Sequence, residues 1–563
     1  MGVARVVGFL LLLIAIAKAS HVSQDESRAP SLSVRANTVG NNCPVLPDHW
    51  PSSWLDVWFP PYDREKAEAM RYRFQAGVNL GSWFVNEKWI APSLFNCTLD
   101  GEKGELAILR GYGNTSQGIR SARALLEKHW DTWITEEDFK KMRNQYNVNS
   151  VRIPIGYWNL PGAQFTQGTP FEAWSEVYKN SWKYVRRAIK VAGDHNIGVL
   201  LDMHGAYGSQ NGQENSGFNR FSVEFSQPEN RRRTKEALVW IANDLKDVTN
   251  LVGIELLNEP WNESGLGWWF KTTAKAIHDI GGHVANLPIY YSDPAVPHNI
   301  ADSENKPSYT AYDKHQYYTF VNRNAPVSEI LEKVRGSDHD RLMNLQNSLK
   351  GRLVIGEWSC ALDAGSMSGN SAQHVQQRRE FCQTQTDSYR NVSSAMYFWS
   401  YKYENCKFWG GWCFDQMYGK YISTYGGYDL TLSESNMVLS HLPTLIPPMS
   451  GAVFPSLSGN NDKAQGFKDG FHIAKKLATT SPISRLGFKD EYIRIMWSRR
   501  SAAQNGGIDF EHYNQGFLNG VSYVECKVYS YSRSGKNRCA AQEGSLLFSN
   551  IVHRRHRPTD TLW

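Results

Sequence analysis

Two apolar runs in this chain end in a carboxylate. "LVGIELLNEP" (251–260) carries Asn258 and Glu259 to a proline break, and "RLVIGEWSC" (352–360) carries Glu357. A single glutamate at a strand tip serves well enough as an ion-pair partner. Two glutamates on strands facing across one mouth suit a reaction that needs one protonated and one ionised carboxyl. Cleavage of a glycosidic bond is such a reaction. One carboxylic acid protonates the leaving oxygen while the other, ionised, attacks or stabilises an oxocarbenium-like carbon, and a separation of about 5–5.5 Å commits the pair to a covalent, retaining route.

Eight apolar runs must position these groups. "AGVNLGSW" (76–83), "SVRIPIGYW" (150–158), "IGVLLDMHG" (197–205) and "LVGIELLNEP" are followed by "LPIYYSDP" (287–294), "YTAYDKHQYY" (309–318), "RLVIGEWSC" and "SAMYFWSYK" (394–402). Stretches of helical period lie between most of them. "TEEDFKKMRNQY" (135–146) opens on Thr135 and Asp138 in capping-box spacing, and "SWKYVRRAIKVAGDHN" (181–196) follows the second run. Doubly buried strands alternating with helices predict an α/β fold, a (β/α)₈ TIM barrel from about 70 to 440, whose reactive groups stand at the C-terminal strand ends. An open doubly wound sheet is the alternative, but the Gly-rich phosphate turn it would carry after its first strand is not in the sequence.

Composition bounds the rest. The 563 residues, 41% hydrophobic and 21% charged, support a large globular core, and 20 Trp fit either sugar stacking or bulky packing. Net charge is +6, or +4 without Arg5 and Lys18, which makes no case for nucleic acid. Residues 1–19 read as a secretory signal peptide ending in Ala17-Lys18-Ala19, 20–44 as a flexible Ser-rich segment, 45–445 as the barrel domain and 446–563 as a small, mostly helical appendage. In that appendage "QGFKDGFHIA" (465–474) recurs loosely as "QGFLNGVSYV" (515–524), and its role is not written in the residues. The basic end "HRRHR" (553–557) reads as a solvated tail. Four N-x-[ST] sequons, at Asn96, Asn114, Asn262 and Asn391, and eight Cys without a C-x-x-C pair agree with a secreted, disulfide-bonded protein. Eight Cys allow 105 connectivities, of which Cys406 with Cys413 and Cys526 with Cys539 are plausible local loops. The mature chain is expected to be soluble, extracellular or wall-associated and monomeric, with no transmembrane segment.

"GVNLGSWFVNEKWIAPSLF" (77–95), "VRIPIGYW", "DMHGAYGSQNGQENSG" (202–217), "LLNEP", "KHQYY", "VIGEWS" and "YFWSYKYEN" together resemble, in order and spacing, glycoside hydrolase family 5, and look most like its secreted exo-β-1,3-glucanase subgroup of fungi and oomycetes. The resemblance covers roughly residues 70–430. It implies Glu259 as general acid/base and Glu357 as nucleophile. Asn258 then donates to a sugar 2-OH, Arg152 and Tyr317 keep Glu357 ionised, and Glu259 needs a raised pKa, for which the alternation of charge at Glu357 is a source. The resemblance also places His204, His315 and Glu87 in the sugar pocket, Trp399 beneath the terminal ring and Phe320 at the next subsite. It departs at Gln213, where the subgroup's yeast members have a second clamping aromatic; an amide cannot stack as a ring does.

These residues imply a secreted retaining β-glucan hydrolase releasing glucose from β-1,3-glucan ends, with transglycosylation when a sugar attacks the intermediate. Two alternatives stay open: the same mechanism on β-1,6- or β-1,4-glucan, and a non-catalytic wall protein that only holds glucan. No cofactor is expected. No metal is expected either, because His204, His315 and the two glutamates lack short ligand spacing.

Overall fold

The computed structural model describes residues 38–39, 43–98, 101–218, 223–293, 310–320, 323–367, 372–407, 410–445, 461–504 and 507–530. The expected signal peptide, the basic end and Cys539 lie outside the described residues. Contacts divide the chain into two units, Met1–Asp429 with Gly487–Glu491, and Leu430–Leu486 with Tyr492–Trp563. The helix Leu432–Leu445, which composition groups with the barrel, falls in the second unit.

Each apolar run contributes one strand to the first unit. They are β1 (Gln75–Asn79), β2 (Ser150–Gly156), β3 (Gly198–Gly205), β4 (Leu251–Glu255), β5 (Ile289–Ser292), β6 (Thr310–Gln316), β7 (Leu353–Trp358) and β8 (Ala395–Phe398). All neighbours pair in parallel, and β8 returns to β1 to close a (β/α)₈ barrel. Helices Ser181–Asp194, Pro228–Asp244, Leu266–His278 and Ala372–Val392 are among the crossovers. The helix Glu136–Tyr146 begins with the expected capping box, the Thr135 side chain accepting from the Asp138 N–H and the Asp138 carboxylate from that of Thr135.

Side-chain bonds between strands identify what fills the lumen. At one level Tyr290 of β5 and Tyr397 of β8 both donate to Gln75 Oε1 of β1, at 3.0 and 2.7 Å. Those two rings fit because glycines oppose them; a Cβ on Gly253 or Gly77 would come within 2.3 and 2.2 Å of them. Arg152 of β2 occupies the level above, reaching Glu255 of β4 and Asn79 of β1. A barrel is a packed core, and here its upper lumen is polar, which prepares the mouth for chemistry.

Three disulfides join described residues: Cys43–Cys97, Cys360–Cys382 and the expected Cys406–Cys413. The asparagines of all four sequons are exposed. No helix among the described residues is long and apolar enough to cross a membrane.

In the second unit the two copies of the loose repeat lie on helices Asn461–Ala478 and Phe510–Ser530. The physical basis of the repeat is close backbone approach. A Cβ on Gly470 would meet the Phe517 carbonyl oxygen at 2.1 Å, and one on Gly520 the Phe467 carbonyl at 2.3 Å. Backbone cannot swing aside as a side chain can, so Gly470→Ala should lower stability by about 1–3 kcal/mol. The check is the midpoint of urea unfolding followed by circular dichroism.

Candidate active site

β4 ends at Glu255, four residues before Glu259, so Glu259 stands on the loop beyond the strand. The intervening chain is held by its neighbours: Leu256 N–H donates to Tyr290 O, Asn258 N–H to Met203 O and Glu259 N–H to Ser292 Oγ (3.1 Å). Glu259 takes a left-handed backbone, φ 43°. A non-glycine residue there costs free energy that surrounding bonds must offset, and such outliers cluster at functional sites. Glu357 needs no such device, since it lies within β7 itself.

The two carboxylates meet. One oxygen of Glu259, one of Glu357 and a ring nitrogen of His315 all lie within 4.8 Å of one another. His315 Nδ1 is 2.7 Å from Glu259 Oε1 and 3.5 Å from Glu357 Oε2. Tyr317 donates to Glu357 Oε2 at 2.7 Å, Arg152 to Glu357 Oε1 at 3.0 Å, and Asn215 Nδ2 to Glu259 Oε2 at 3.2 Å. Three of these partners follow from two strands: β6 carries His315, its next-but-one residue is Tyr317, and β2 carries Arg152.

Arg152 lies inside β2, four residues before its end, fully buried. Four carboxylates surround its guanidinium: Glu255 at 2.7 Å, Glu357 at 3.0 Å, Asp202 at 3.1 Å and Asp313 at 3.9 Å. Burial, with Asp202 and Asp313 adding repulsion, drives the Glu255 carboxyl well above the carboxylate range against the pull of Arg152. One cation is shared among these four buried carboxylates. Arg152 also donates to Asn258 Oδ1 at 2.8 Å, which leaves Asn258 Nδ2, buried and without a partner among the described residues, as a donor for a ligand.

The remaining expected residues line the same mouth. Trp399 follows β8 directly and stacks on His204, ring centroids 5.6 Å apart at 7°, while Asp202 holds His204 Nδ1 at 2.6 Å. Glu87 accepts from Trp89 Nε1 at 2.9 Å; burial and then the nearby Glu214 raise its carboxyl well above the usual range. Phe320 packs edge-on to Tyr317 at 5.8 Å. By donor proximity, Glu259–His315–Glu357 and Glu255–Asp313–His315 are the two trios among the described residues that could hold a cation.

A family model described as Cellulase (glycosyl hydrolase family 5) matches residues 112–405, just over half of the chain. The chain belongs to glycosyl hydrolase family 5. Among its relatives, "Glucan 1,3-beta-glucosidase 3" of Schizosaccharomyces pombe is 36% identical over 357 residues, covering 62% of this chain and 73% of that protein. "Glucan 1,3-beta-glucosidase" of Schwanniomyces occidentalis is 40% identical over 194 residues, 33% of this chain and 43% of its own length. "Probable glucan 1,3-beta-glucosidase A" of Aspergillus clavatus is 28% identical over 380 residues, 59% of this chain and 84% of its own.

One expectation for this family 5 hydrolase meets the opposite. Burial alone would raise the Glu259 carboxyl, but the bond and charge of His315 outweigh it and bring it down to about 2. Glu357 moves the other way: burial lifts it, and His315 and Arg152 only partly oppose that. The reason is His315, which burial would neutralise but which Glu357, Asp313 and Glu259 hold protonated well above its ordinary value. The imidazole of His315 is thus shifted up and the Glu259 carboxyl down, opposite to what a lone buried acid would show.

The sequence also leaves residues of this hydrolase's mouth unassigned. Asn215 and Glu214 stand in the loop after β3, Trp89 after β1 and Trp412 after β8. Trp412 lies 5.4 Å from Tyr317, 6.0 Å from Phe320 and 5.3 Å from Trp89, so three loops build one aromatic wall. Its only sequence signal is adjacency to Cys413, which ties that loop to Cys406.

Proposed function

We propose that this chain is a retaining β-glucan hydrolase that removes glucose from the ends of β-1,3-glucan. The reading is carried by the meeting of Glu259 and Glu357 oxygens within 4.8 Å, the closer of the two spacings glycosidases use. Glu357 attacks the anomeric carbon as the glycosidic C–O bond breaks, and Glu259 delivers a proton to the departing oxygen. Water then attacks the glycosyl-Glu357 ester, giving its proton to Glu259 and releasing glucose with its configuration retained. Asn258 Nδ2 donates to the 2-OH, a contact that strengthens in the transition state. Trp399 forms the floor beneath the terminal ring, and Glu87 takes its hydroxyls.

The relatives' names support the β-1,3 linkage. Gln213 removes one ring from the outer subsite, where Phe320 keeps Trp412 as an aromatic neighbour at 6.0 Å. Three disulfides and four exposed sequons support an oxidising, secretory setting. The test is product sizing on laminarin, pustulan and cello-oligomers. Glucose alone from laminarin is expected; a ladder of oligomers overturns exo action, and faster release from pustulan overturns the linkage.

His315 supplies the acid. With the proton resting on its Nδ1, 2.7 Å from Glu259 Oε1, transfer to the carboxyl needs no other carrier. The pair keeps that proton up to the raised pKa of His315. In His315→Asn the proton must sit on Glu259 itself, an acid whose ordinary value is 4.5. The alkaline limb of kcat/KM against pH should therefore move to lower pH. An unmoved limb would remove His315 from this role.

A further inference from the structure

The segment from Val45 to Asp63 forms no helix or strand, yet it is held firmly to the first unit. Asp131 accepts from Ser52 N–H (2.8 Å), Ser52 Oγ (2.9 Å) and His49 Nε2 (3.1 Å). Arg187 donates to Ser53 Oγ at 3.0 Å, and Lys183 pairs with Asp56 at 2.8 Å. Its smaller apolar residues Leu46, Leu55 and Phe59 pack against the core. Its three tryptophans do the reverse: Trp50, Trp54 and Trp58 are 84%, 87% and 88% exposed. Trp is the side chain that gains most from burial, so a strap that buries Leu and Phe and turns three Trp outward, four residues apart, is arranged for something that covers them.

The strap's course ties it to the catalytic face. Cys43, just before it, is bonded to Cys97 in the loop after β1, on the side where the strands end. At its other end the Asp63 N–H donates to Thr249 Oγ1, just before β4 begins. The strap that carries the tryptophans therefore runs from the loop after β1 to the start of β4, with at most about 29 Å between Trp50 and Trp58. The strap's exposed carboxylates Asp48 and Asp56 pair with Arg123 at 3.6 Å and Lys183 at 2.8 Å. Charge offset in this way gives a phosphate-bearing surface or nucleic acid little to hold and leaves a neutral chain with flat apolar faces as the complementary occupant.

We infer that Trp50, Trp54 and Trp58 form a non-catalytic binding platform for polymeric β-glucan, which holds a chain on the flank while an end enters the mouth. The inference rests on the β-glucan reading above. The test compares the full chain with the Trp50→Ala/Trp54→Ala/Trp58→Ala variant and with Trp54→Ala alone, in two assays. Depletion onto insoluble β-1,3-glucan should weaken at least about tenfold in the triple variant, and less in the single one. Hydrolysis of a soluble laminari-oligosaccharide too short to reach the strap should be unchanged, which also reports that the variant is folded. Equal binding of wild type and triple variant to the insoluble glucan, with hydrolysis intact, overturns the platform. So does a loss of self-association or of vesicle binding in the variant while glucan binding stays. If the wild-type chain neither binds nor cleaves any β-glucan, the parent reading fails instead.

Discussion

Glu357→Ala is expected to lower hydrolysis of laminari-oligosaccharides by at least about a thousandfold, the scale on which removal of a nucleophile leaves only binding and electrostatic help. The geometry makes the loss specific. Arg152 Nη1, Tyr317 Oη and His315 Nδ1 converge on the two oxygens of Glu357 at 3.0, 2.7 and 3.5 Å, and no other carboxylate receives the same set. Glu259→Ala should behave differently. With an aryl glucoside whose leaving group needs no proton, glycosylation stays fast and the glycosyl-enzyme accumulates, visible as a burst followed by a slow steady rate. Added azide should then attack in place of base-assisted water and yield the β-glucosyl azide. Equal effects of the two substitutions on both substrate types would invalidate the division of roles.

Arg152→Met is expected to cost about 3–5 kcal/mol of stability and to abolish activity, because the carboxylates around it lose their shared cation while staying buried. The pH dependence has a definite sign. Without the guanidinium, Glu255 and Glu357, at 2.7 and 3.0 Å from it in the native chain, hold their protons more tightly when folded than when unfolded. The folded state then binds more protons than the unfolded one above about pH 4, so the variant loses stability as pH rises through that window and recovers as pH falls toward it. Thermal melts of the two proteins between pH 4 and 8 should diverge with rising pH; parallel curves would mean that these carboxylates do not depend on Arg152.

Much of the site was legible because a parallel barrel converts sequence pattern into position. A doubly buried strand must be a near-continuous apolar run, so the polar residue that breaks it marks the mouth. His204, His315 and Glu357 were singled out that way, and Glu259 and Asn258 by the same logic, although β4 stops earlier and the loop carries them, whereas Trp399 came only from the family resemblance. Trp412, Asn215 and Glu214 were not legible, since they sit in loops whose path no periodicity encodes. The direction of the Glu259 shift was hidden for another reason: it depends on a 2.7 Å approach from His315, 56 residues away in the chain.

By itself, then, the order of apolar runs and helical stretches determined a closed eight-stranded barrel, and the residue types at the ends of those runs determined the chemistry on offer. Both are local properties, carried by burial period and functional group. The tertiary structure alone decided that His315 approaches both glutamates, how Phe320 and Trp412 share a wall, and that three tryptophans turn outward on a strap whose polar side chains are pinned to Asp131, Arg187 and Lys183. Those outcomes rest on distances between groups far apart in sequence, and electrostatic and stacking energies change over an ångström or two.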